Sequence, residues 1–168
     1  FDRNEFLKGT EHLSPLFNAI LYKQTLQITY QSFKSDTEQE IIFHPYHLKN
    51  YNNRWFLFGK SGNYENLTNL ALDRINEIQN SNVAFIENGM LDFDEYFEDI
   101  IGVSKTIEDE PLKIELYATK RLAPYIKTKP LHGSQKTISE TTDGYSFSIE
   151  VIPNYELEQL LLSFGEAI

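Results

Sequence analysis

The single tryptophan of the chain lies in the run Arg54-Trp55-Phe56-Leu57-Phe58-Gly59, directly after the turn-like residues Asn50 to Asn53. Aromatic and aliphatic side chains in such a run are typical of a β-strand that packs on a core. Because side chains alternate between the two faces of a strand, Trp55 and Leu57 are expected in the core and Arg54 on the opposite face. We therefore expect the chemistry beside this strand to lie at Arg54.

Charge is segregated along the chain, although the net charge is -10. Residues 41–64 contain no acidic residue, whereas residues 87–110 contain nine acidic residues against one lysine. Residues 111–137 are basic again. Two basic segments therefore flank an acidic connector, and a basic segment of this kind is a candidate for contact with phosphate groups.

The composition favours a folded, strand-rich protein and excludes several classes of site. Of the 168 residues, 40% are hydrophobic and 14% aromatic, enough for one or two cores. The absence of cysteine excludes disulfides, zinc-thiolate sites and thiol catalysis. No apolar run approaches the roughly 20 residues of a membrane span. The first residues do not resemble a signal peptide. We therefore expect a soluble, cytoplasmic protein without a membrane partner.

The first half of the chain predicts one helix and a small sheet. Ser14 and Pro15 are expected to cap and open the helix. Four strands are predicted at Leu26–Tyr30, Glu40–His44, Arg54–Phe58 and Leu67–Leu72. Pro45 is expected to stop the second strand because it cannot donate a ladder hydrogen bond. Short strands joined by short turns predict a strongly bent sheet or small barrel, which the helix would cap.

The second half predicts a different α+β unit. A short acidic helix is expected to carry Phe93, Phe97, Ile100 and Ile101 on one face, with Gly102 at its end. A strand at 112–118, a helix at 119–126 disturbed by Pro124, a hairpin around a type I′ turn at Asp143-Gly144 and a helix capped by Asn154 follow. This order is that of a ferredoxin-like unit without its last strand. We expect the chain to stop before its native C-terminus or to borrow a strand, so the open edge invites a partner.

An ordered set of motifs resembles one known family. The motifs of the first half are Leu26-Gln27-Ile28-Thr29-Tyr30, Pro45-Tyr46-His47-Leu48, Arg54-Trp55-Phe56-Leu57 and Leu72-Asp73-Arg74-Ile75. Those of the second half are Phe97-Glu98-Asp99-Ile100-Ile101-Gly102-Val103, Pro130-Leu131-His132-Gly133-Ser134-Gln135 and Leu162-Ser163-Phe164-Gly165. The first set resembles the WYL domain of bacterial transcriptional regulators, and the second resembles the C-terminal extension of that family. The resemblance covers the chain from about Leu13 to its end.

The resemblance implies an α+β fold, with an Sm-like or SH3-type β-barrel followed by a ferredoxin-like extension. The expected boundaries are 1–13 for a linker remnant, 14–84 for the barrel and its capping helix, 85–110 for the acidic connector and 111–168 for the incomplete extension. Such domains are sensor modules that take up nucleic-acid or nucleotide-like ligands. In this chain Phe56 replaces the tyrosine that names the family, which removes its hydroxyl. No helix-turn-helix precedes Phe1, so operator DNA is expected to be bound only through a segment outside this chain.

Arg54 and Arg74 are the expected ligand-binding pair. They lie at the start of one strand and the end of another, and a small barrel can bring two such positions to one mouth. Guanidinium groups suit phosphate, and Tyr30 and Tyr46 offer rings on which a base can stack, with His44 as a further contact. The alternative is that Arg74 pairs with an acid such as Asp73 while Arg54 is solvated.

The remaining sequence patterns give weaker evidence for a functional site. His44 and His47 are close in sequence, but on a strand they point to opposite faces, and the segment offers few other metal ligands. Lys120, Arg121, Lys127 and Lys129 form a second basic candidate, or a solvated helix face. His132 and Ser134 lack a nucleophile elbow. There is no Walker loop or GxGxxG. We therefore expect no enzyme, no cofactor and no metal.

The predicted function is a sensor module that binds single-stranded nucleic acid or a nucleotide effector. The alternative is an interaction module that binds no small ligand and whose extension forms a homodimer through its open edge.

Overall fold

The chain folds as two units, Phe1–Leu91 and Asp92–Ile168, each built on its own antiparallel sheet. The computed structural model describes residues 7–62, 66–89, 91–105 and 110–168. Within these ranges the first unit has a five-stranded sheet and the second a three-stranded sheet, each with helices. The predicted mixed α+β class is confirmed.

The first unit is a bent sheet with one helix against it. Its elements in order are a 3-10 turn (Thr10–His12), α1 (Leu13–Leu21), β1 (Leu26–Tyr30), β2 (Gln39–Tyr51), β3 (Arg54–Ser61), β4 (Leu67–Ala71), a second 3-10 turn (Leu72–Arg74) and β5 (Ile75–Asn80). The strand order is β4-β3-β2-β1-β5. The second 3-10 turn, called the arginine turn below, is thus the whole link between the two edge strands, and the sheet must curl to allow it.

The β2–β3 hairpin has the tight turn that the sequence predicted. Tyr51 pairs with Arg54 across a two-residue loop. Asn52 and Asn53, the loop residues, have φ values of 47° and 62°. Type I′ hairpin turns need positive φ at both positions, and asparagine tolerates it better than most residues.

β2 does not stop at Pro45, so that prediction was wrong. The strand runs from Gln39 to Tyr51, and the ladder register shifts between Pro45 and His47. A bulge leaves one residue out of the ladder, which accommodates a proline without a ladder N–H. Gly59 lies opposite Pro45, and a Cβ atom there would be 2.2 Å from the backbone oxygen of His44. The bulge therefore depends on a glycine at position 59.

β5 was not predicted from the sequence. It pairs with β1 at the edge of the sheet, and Ile75 and Ile78 are its apolar residues. The other four residues are polar and exposed, so the segment shows little of the alternation by which a strand is recognised. Within the described residues β4 and β5 do not pair with each other, and the sheet is not closed by hydrogen bonds.

The core of the first unit lies between α1 and one side of the sheet. The buried side chains in contact are Leu16, Ala19, Leu26, Ile28, Phe43, Leu57, Leu70, Leu72 and Ile75. Leu57 is fully buried and Trp55 packs at the margin, as predicted from their alternation.

The predicted start of α1 was wrong. The helix begins at Leu13, and its N-cap residue is His12, without a side-chain cap. The 3-10 turn runs directly into the helix, so Ser14 is the second residue of α1 and not its N-cap. The His12 imidazole instead lies 3.0 Å, Nε2 to O, from the carbonyl oxygen of Ile75.

The second unit contains a three-stranded sheet with the order β6-β8-β7. Its elements are α2 (Phe93–Glu98), β6 (Leu112–Thr119), α3 (Ala123–Thr128), β7 (Lys136–Glu140), β8 (Gly144–Val151), α4 (Tyr155–Ser163) and a 3-10 turn (Gly165–Ala167). The predicted cap of α4 is confirmed, since the Asn154 carboxamide accepts a hydrogen bond from the Leu157 amide at 2.8 Å.

Three local predictions for the second unit were wrong. Gly144 does not have the positive φ of a type I′ turn; it opens β8, and the Thr141 amide donates to its carbonyl at 2.9 Å across a longer loop. Pro124 does not disturb a helix but lies in the first turn of α3, where its missing N–H costs little. α2 ends at Glu98, so the buried Ile100 and Ile101 follow the helix.

Candidate anion-binding site

Arg54 and Arg74 meet at one carboxylate, that of Asp73. Arg54 Nε lies 2.9 Å from Asp73 Oδ2, and Arg74 Nε lies 3.9 Å from Asp73 Oδ1. Arg54 comes from the first residue of β3, and the other two residues belong to the arginine turn. The fold therefore brings together the predicted pair, and the closer ion pair is Arg54 with Asp73.

Two polar atoms at this site are buried without a hydrogen-bond partner among the described residues. They are Asp73 Oδ1 and Arg74 Nε, and their separation of 3.9 Å is too long for a hydrogen bond. A buried donor or acceptor left unsatisfied costs about 1–3 kcal/mol. The site thus keeps a guanidinium donor that the fold itself does not use.

Phe33 completes the site, and sequence reasoning missed it. The Arg74 guanidinium carbon lies 4.4 Å from the centroid of the Phe33 ring, in a cation–π contact. The residue is 71% exposed. Phe33 lies in the polar loop between β1 and β2 and is not part of an alternating strand pattern. An isolated aromatic residue in such a loop was the one sequence signal that could have identified it as a site residue.

The backbone of the arginine turn is held from two sides. Gly9 packs against it so closely that a Cβ atom would be 2.4 Å from the carbonyl carbon of Leu72. On the other side the Gln31 amide donates to the Arg74 carbonyl at 3.0 Å. The sequence had placed Gly9 in a linker remnant. In the structure this residue fixes the turn that carries Asp73 and Arg74.

Tyr30, another predicted site residue, lies beside the arginine turn. It ends β1 and pairs with Ile75, the residue after Arg74. Its half-buried ring packs against the core of the first unit. Tyr30 is therefore adjacent to the site through its backbone, while much of its ring is engaged in packing.

The remaining predicted residues, His44 and Tyr46, are not brought to the arginines. His44 pairs with Lys60 at one end of the β2–β3 ladder, and Arg54 pairs with Tyr51 at the other. Six residues of strand correspond to roughly 20 Å. His44 is 1% exposed, and the Tyr46 hydroxyl donates to the Ile86 carbonyl at 2.9 Å. Burial, and secondarily Glu87, raises the pKa of Tyr46.

In the second unit two of the four predicted basic residues line a surface groove of about 480 Å³. Lys120 and Lys127 contribute to it, together with several threonines. Lys127 Nζ is 2.7 Å from Glu140 Oε2 and lies over the Tyr145 ring, so this cation is already paired. The groove is therefore less suited to an anion than the arginine turn.

His132 and Ser134 border a separate cavity of about 650 Å³ in the second unit. The Ser134 hydroxyl lies 2.8 Å from His132 Nδ1 and donates to the backbone carbonyl of Glu150 at 3.1 Å. The hydroxyl also accepts from the Glu150 amide at 2.8 Å. Its bonds therefore tie the loop to β8.

The described residues contain neither a candidate metal site nor a candidate membrane-spanning helix. No group of three or more histidine, aspartate and glutamate side chains is placed there to hold a metal ion. No helix in that part of the chain is both long and apolar enough to cross a bilayer.

The sheet, its helix and the arginine pair lie within a segment that matches one family model. The family model of the WYL domain matches residues 11–80, which run from the first 3-10 turn to the end of β5. Over these residues the chain is similar to the WYL-domain family.

Among solved structures, the chain is similar to proteasome accessory factor B/C (PafBC) of Arthrobacter aurescens, with 15% identity and a TM-score of 0.44. The similarity covers 95% of this chain and 24% of that one, so this chain spans about a quarter of its length. A comparison with curated proteins gave no match.

Proposed function

We propose that this chain is the cytoplasmic ligand-sensing module of a bacterial transcriptional regulator, and that its ligand is single-stranded nucleic acid or a nucleotide-like effector. The WYL domain supports the regulatory role. The observation that carries the ligand class is the arginine turn, where a buried guanidinium nitrogen without a partner lies beside an exposed aromatic ring.

The chemistry of the site suits a phosphate joined to a base. A guanidinium group has five N–H donors in a fixed fork, so Arg54 keeps donors for a phosphate while its Nε holds Asp73. The carboxylate offsets one of the two positive charges, which leaves a net charge of about +1 on the three side chains. Phe33 offers ring surface on which a base can stack, since such stacking tolerates any base.

We also propose a more specific fold for each of the two units. An Sm-like or SH3-type barrel for the first unit is supported by the three-residue link between its edge strands. An incomplete ferredoxin-like fold for the second unit is supported by its strand-helix-strand-strand-helix order and by the central position of β8.

Substitution of Arg74 is the test of this function. Short DNA and RNA oligomers, mononucleotides and cyclic nucleotides are titrated against the wild type, Arg74→Ala and Arg121→Ala. We expect Arg74→Ala to weaken binding roughly tenfold to a hundredfold, because a hydrogen bond to a charged group contributes about 1.5–3 kcal/mol. Arg121→Ala removes the same charge from an exposed position in the second unit and should leave the affinity unchanged.

The salt dependence of binding distinguishes a direct phosphate contact from general electrostatic attraction. Binding of the wild type should weaken as salt rises, and Arg74→Ala should show a shallower slope by about one phosphate contact. Equal affinities for Arg74→Ala and Arg121→Ala, with both variants melting like the wild type, would contradict the proposed site.

A second candidate function is an interaction module that forms homodimers. The observation that favours it is the outer edge of β6, which has no strand partner among the described residues. Unpaired strand edges are templates for pairing with another chain. Light scattering tests it: a species of twice the mass of the chain is expected, and a monomer at high concentration excludes it.

A further inference from the structure

The residues that follow β5 form a strap over one end of β1 and β2. Residues 81–87, the strap, are held by backbone and side-chain hydrogen bonds at both ends. The Ser81 amide donates to the Thr25 carbonyl at 2.9 Å. Further along, the Ile86 amide donates to His44 Nδ1 at 3.2 Å, and the Tyr46 hydroxyl donates to the Ile86 carbonyl at 2.9 Å.

The bond from Ile86 defines the protonation state of His44. Nδ1 accepts from the Ile86 amide, and the Thr25 hydroxyl oxygen lies 3.2 Å from the same nitrogen. A ring nitrogen accepts only when it carries no proton, and both nitrogens of a protonated imidazole are donors. The observed geometry therefore requires a neutral His44, and protonation of Nδ1 removes the acceptor that holds Ile86.

Phe85 provides a second contact between the strap and the His44 ring. Its side chain meets His44 edge to face, with 5.8 Å between ring centroids, and meets Tyr46 in the same way at 5.9 Å. His44 thus contacts the strap through a hydrogen bond and through a ring contact. The two hydrogen-bond partners of this nitrogen, the Ile86 amide and the Thr25 hydroxyl, include no carboxylate that could stabilise a positive charge on the buried imidazole.

We propose that His44 is a proton-sensitive latch: protonation of its Nδ1 breaks the bond to Ile86 and loosens the strap, while the five-stranded sheet stays folded. The strap begins directly after the segment matched as a WYL domain and precedes the second unit in sequence. Loosening it frees the chain that leaves the domain. This inference does not depend on the arginine turn binding a ligand.

The charged groups around the latch determine its direction. Lys60 lies opposite His44 on β3 and disfavours a second positive charge. Tyr46 on β2 is neutral, and Glu87 on the strap pairs at 2.8 Å with Lys23 from the turn after α1. Burial, and secondarily Lys60, lowers the pKa of His44 below its ordinary 6.5. The latch therefore contributes fully above that ordinary value and is lost as the pH falls through the lowered pKa.

Amide hydrogen exchange and imidazole nitrogen shifts, both measured by NMR on the full chain from about pH 8 down to the pH at which the sheet unfolds, test the latch. After correction for intrinsic rates, we expect protection of the Ile86 amide to fall roughly tenfold as His44 is protonated. The core amide of Leu57 should keep its protection. In His44→Gln the carboxamide oxygen accepts without titrating, so Ile86 protection should not change with pH.

Two further variants serve as controls. His12→Gln alters a histidine that contacts Ile75 and should keep the wild-type pH profile at Ile86. Tyr46→Phe removes only the hydroxyl bond to the strap, so protection should be lower at every pH and still fall on acidification. This second variant keeps the test intact if His44→Gln does not fold.

Three results overturn the proposal. The first is Ile86 protection that does not change while His44 takes up its proton. The second is a His44 that stays neutral down to the pH at which the sheet unfolds. The third is simultaneous loss of protection at Ile86 and Leu57, which would mean global unfolding rather than release of the strap.

Discussion

Gly59→Ala is expected to destabilise the first unit by about 3 kcal/mol or more, the upper end of what overpacking costs. A Cβ atom at this position would lie 2.2 Å from the His44 carbonyl oxygen and 2.5 Å from a ring carbon of Phe43. The first of these is backbone at the β2 bulge and cannot turn away. For a unit of this size, the melting temperature Tm should fall by roughly 10–20 °C.

Gly62→Ala is the matched control for this substitution. It makes the same chemical change three residues later, where the nearest atom to an added Cβ is a side-chain carbon of Ile42 at 3.7 Å, an ordinary contact. Its Tm should stay within a few degrees of the wild type, since surface substitutions usually change stability by about 0.5 kcal/mol or less. Thermal melts that place the two variants together would show that β2 and β3 can separate at the bulge without cost.

Gly9→Ala is expected to reduce both stability and ligand affinity. Gly9 has a φ of 84°, and an added Cβ would lie 2.4 Å from the carbonyl carbon of Leu72 and 2.6 Å from the Asp73 amide nitrogen. The left-handed backbone costs an alanine about 1–2 kcal/mol, and the clash adds about 1–3 kcal/mol more. Because relief requires the arginine turn to move, Arg74 should shift from Arg54 and nucleotide binding should weaken at least about tenfold.

Gly89→Ala is the matched control that separates the free-energy cost of a left-handed backbone from the cost of the steric clash. Gly89 has a φ of 71° but no atom within 4 Å of an added Cβ. It should show the left-handed cost alone and bind nucleotides like the wild type. If both variants lose the same stability in chemical denaturation, contact between Gly9 and the arginine turn contributes nothing to the fold.

The parts of the fold that local patterns determine were predictable. The asparagines at 52 and 53 tolerate the positive φ of a tight hairpin, and alternation along β3 placed Leu57 and Trp55 correctly. The same alternation left Arg54 for the opposite face. Its meeting with Arg74 was predicted because the two residues lie at the start of one strand and the end of another, positions that a small barrel can bring to one mouth, and because of the resemblance to a family.

The rest depends on contacts between segments that are distant in sequence. No local pattern shows that Pro45 sits at a bulge, because the relief comes from Gly59 on the neighbouring strand. The separation of His44 from the arginines follows from the length of β2, which Pro45 was wrongly expected to limit. Phe33 was missed because its partner, the guanidinium of Arg74, is about forty residues away in sequence.

The pairing of β1 with β5 has a consequence for the order of folding. The β2–β3 hairpin joins neighbours in sequence, whereas the β1–β5 ladder joins residues as distant as Leu26 and Asn80. Closing the longer loop costs more entropy, so this ladder should form late, and the hydrogen bond from the Gln31 amide to the Arg74 carbonyl forms only then. A ligand at the arginine turn should therefore slow unfolding in stopped-flow measurements and leave the refolding rate almost unchanged. An effector at the arginine turn should therefore bind those molecules in which β5, the last strand of the first unit, has already paired with β1.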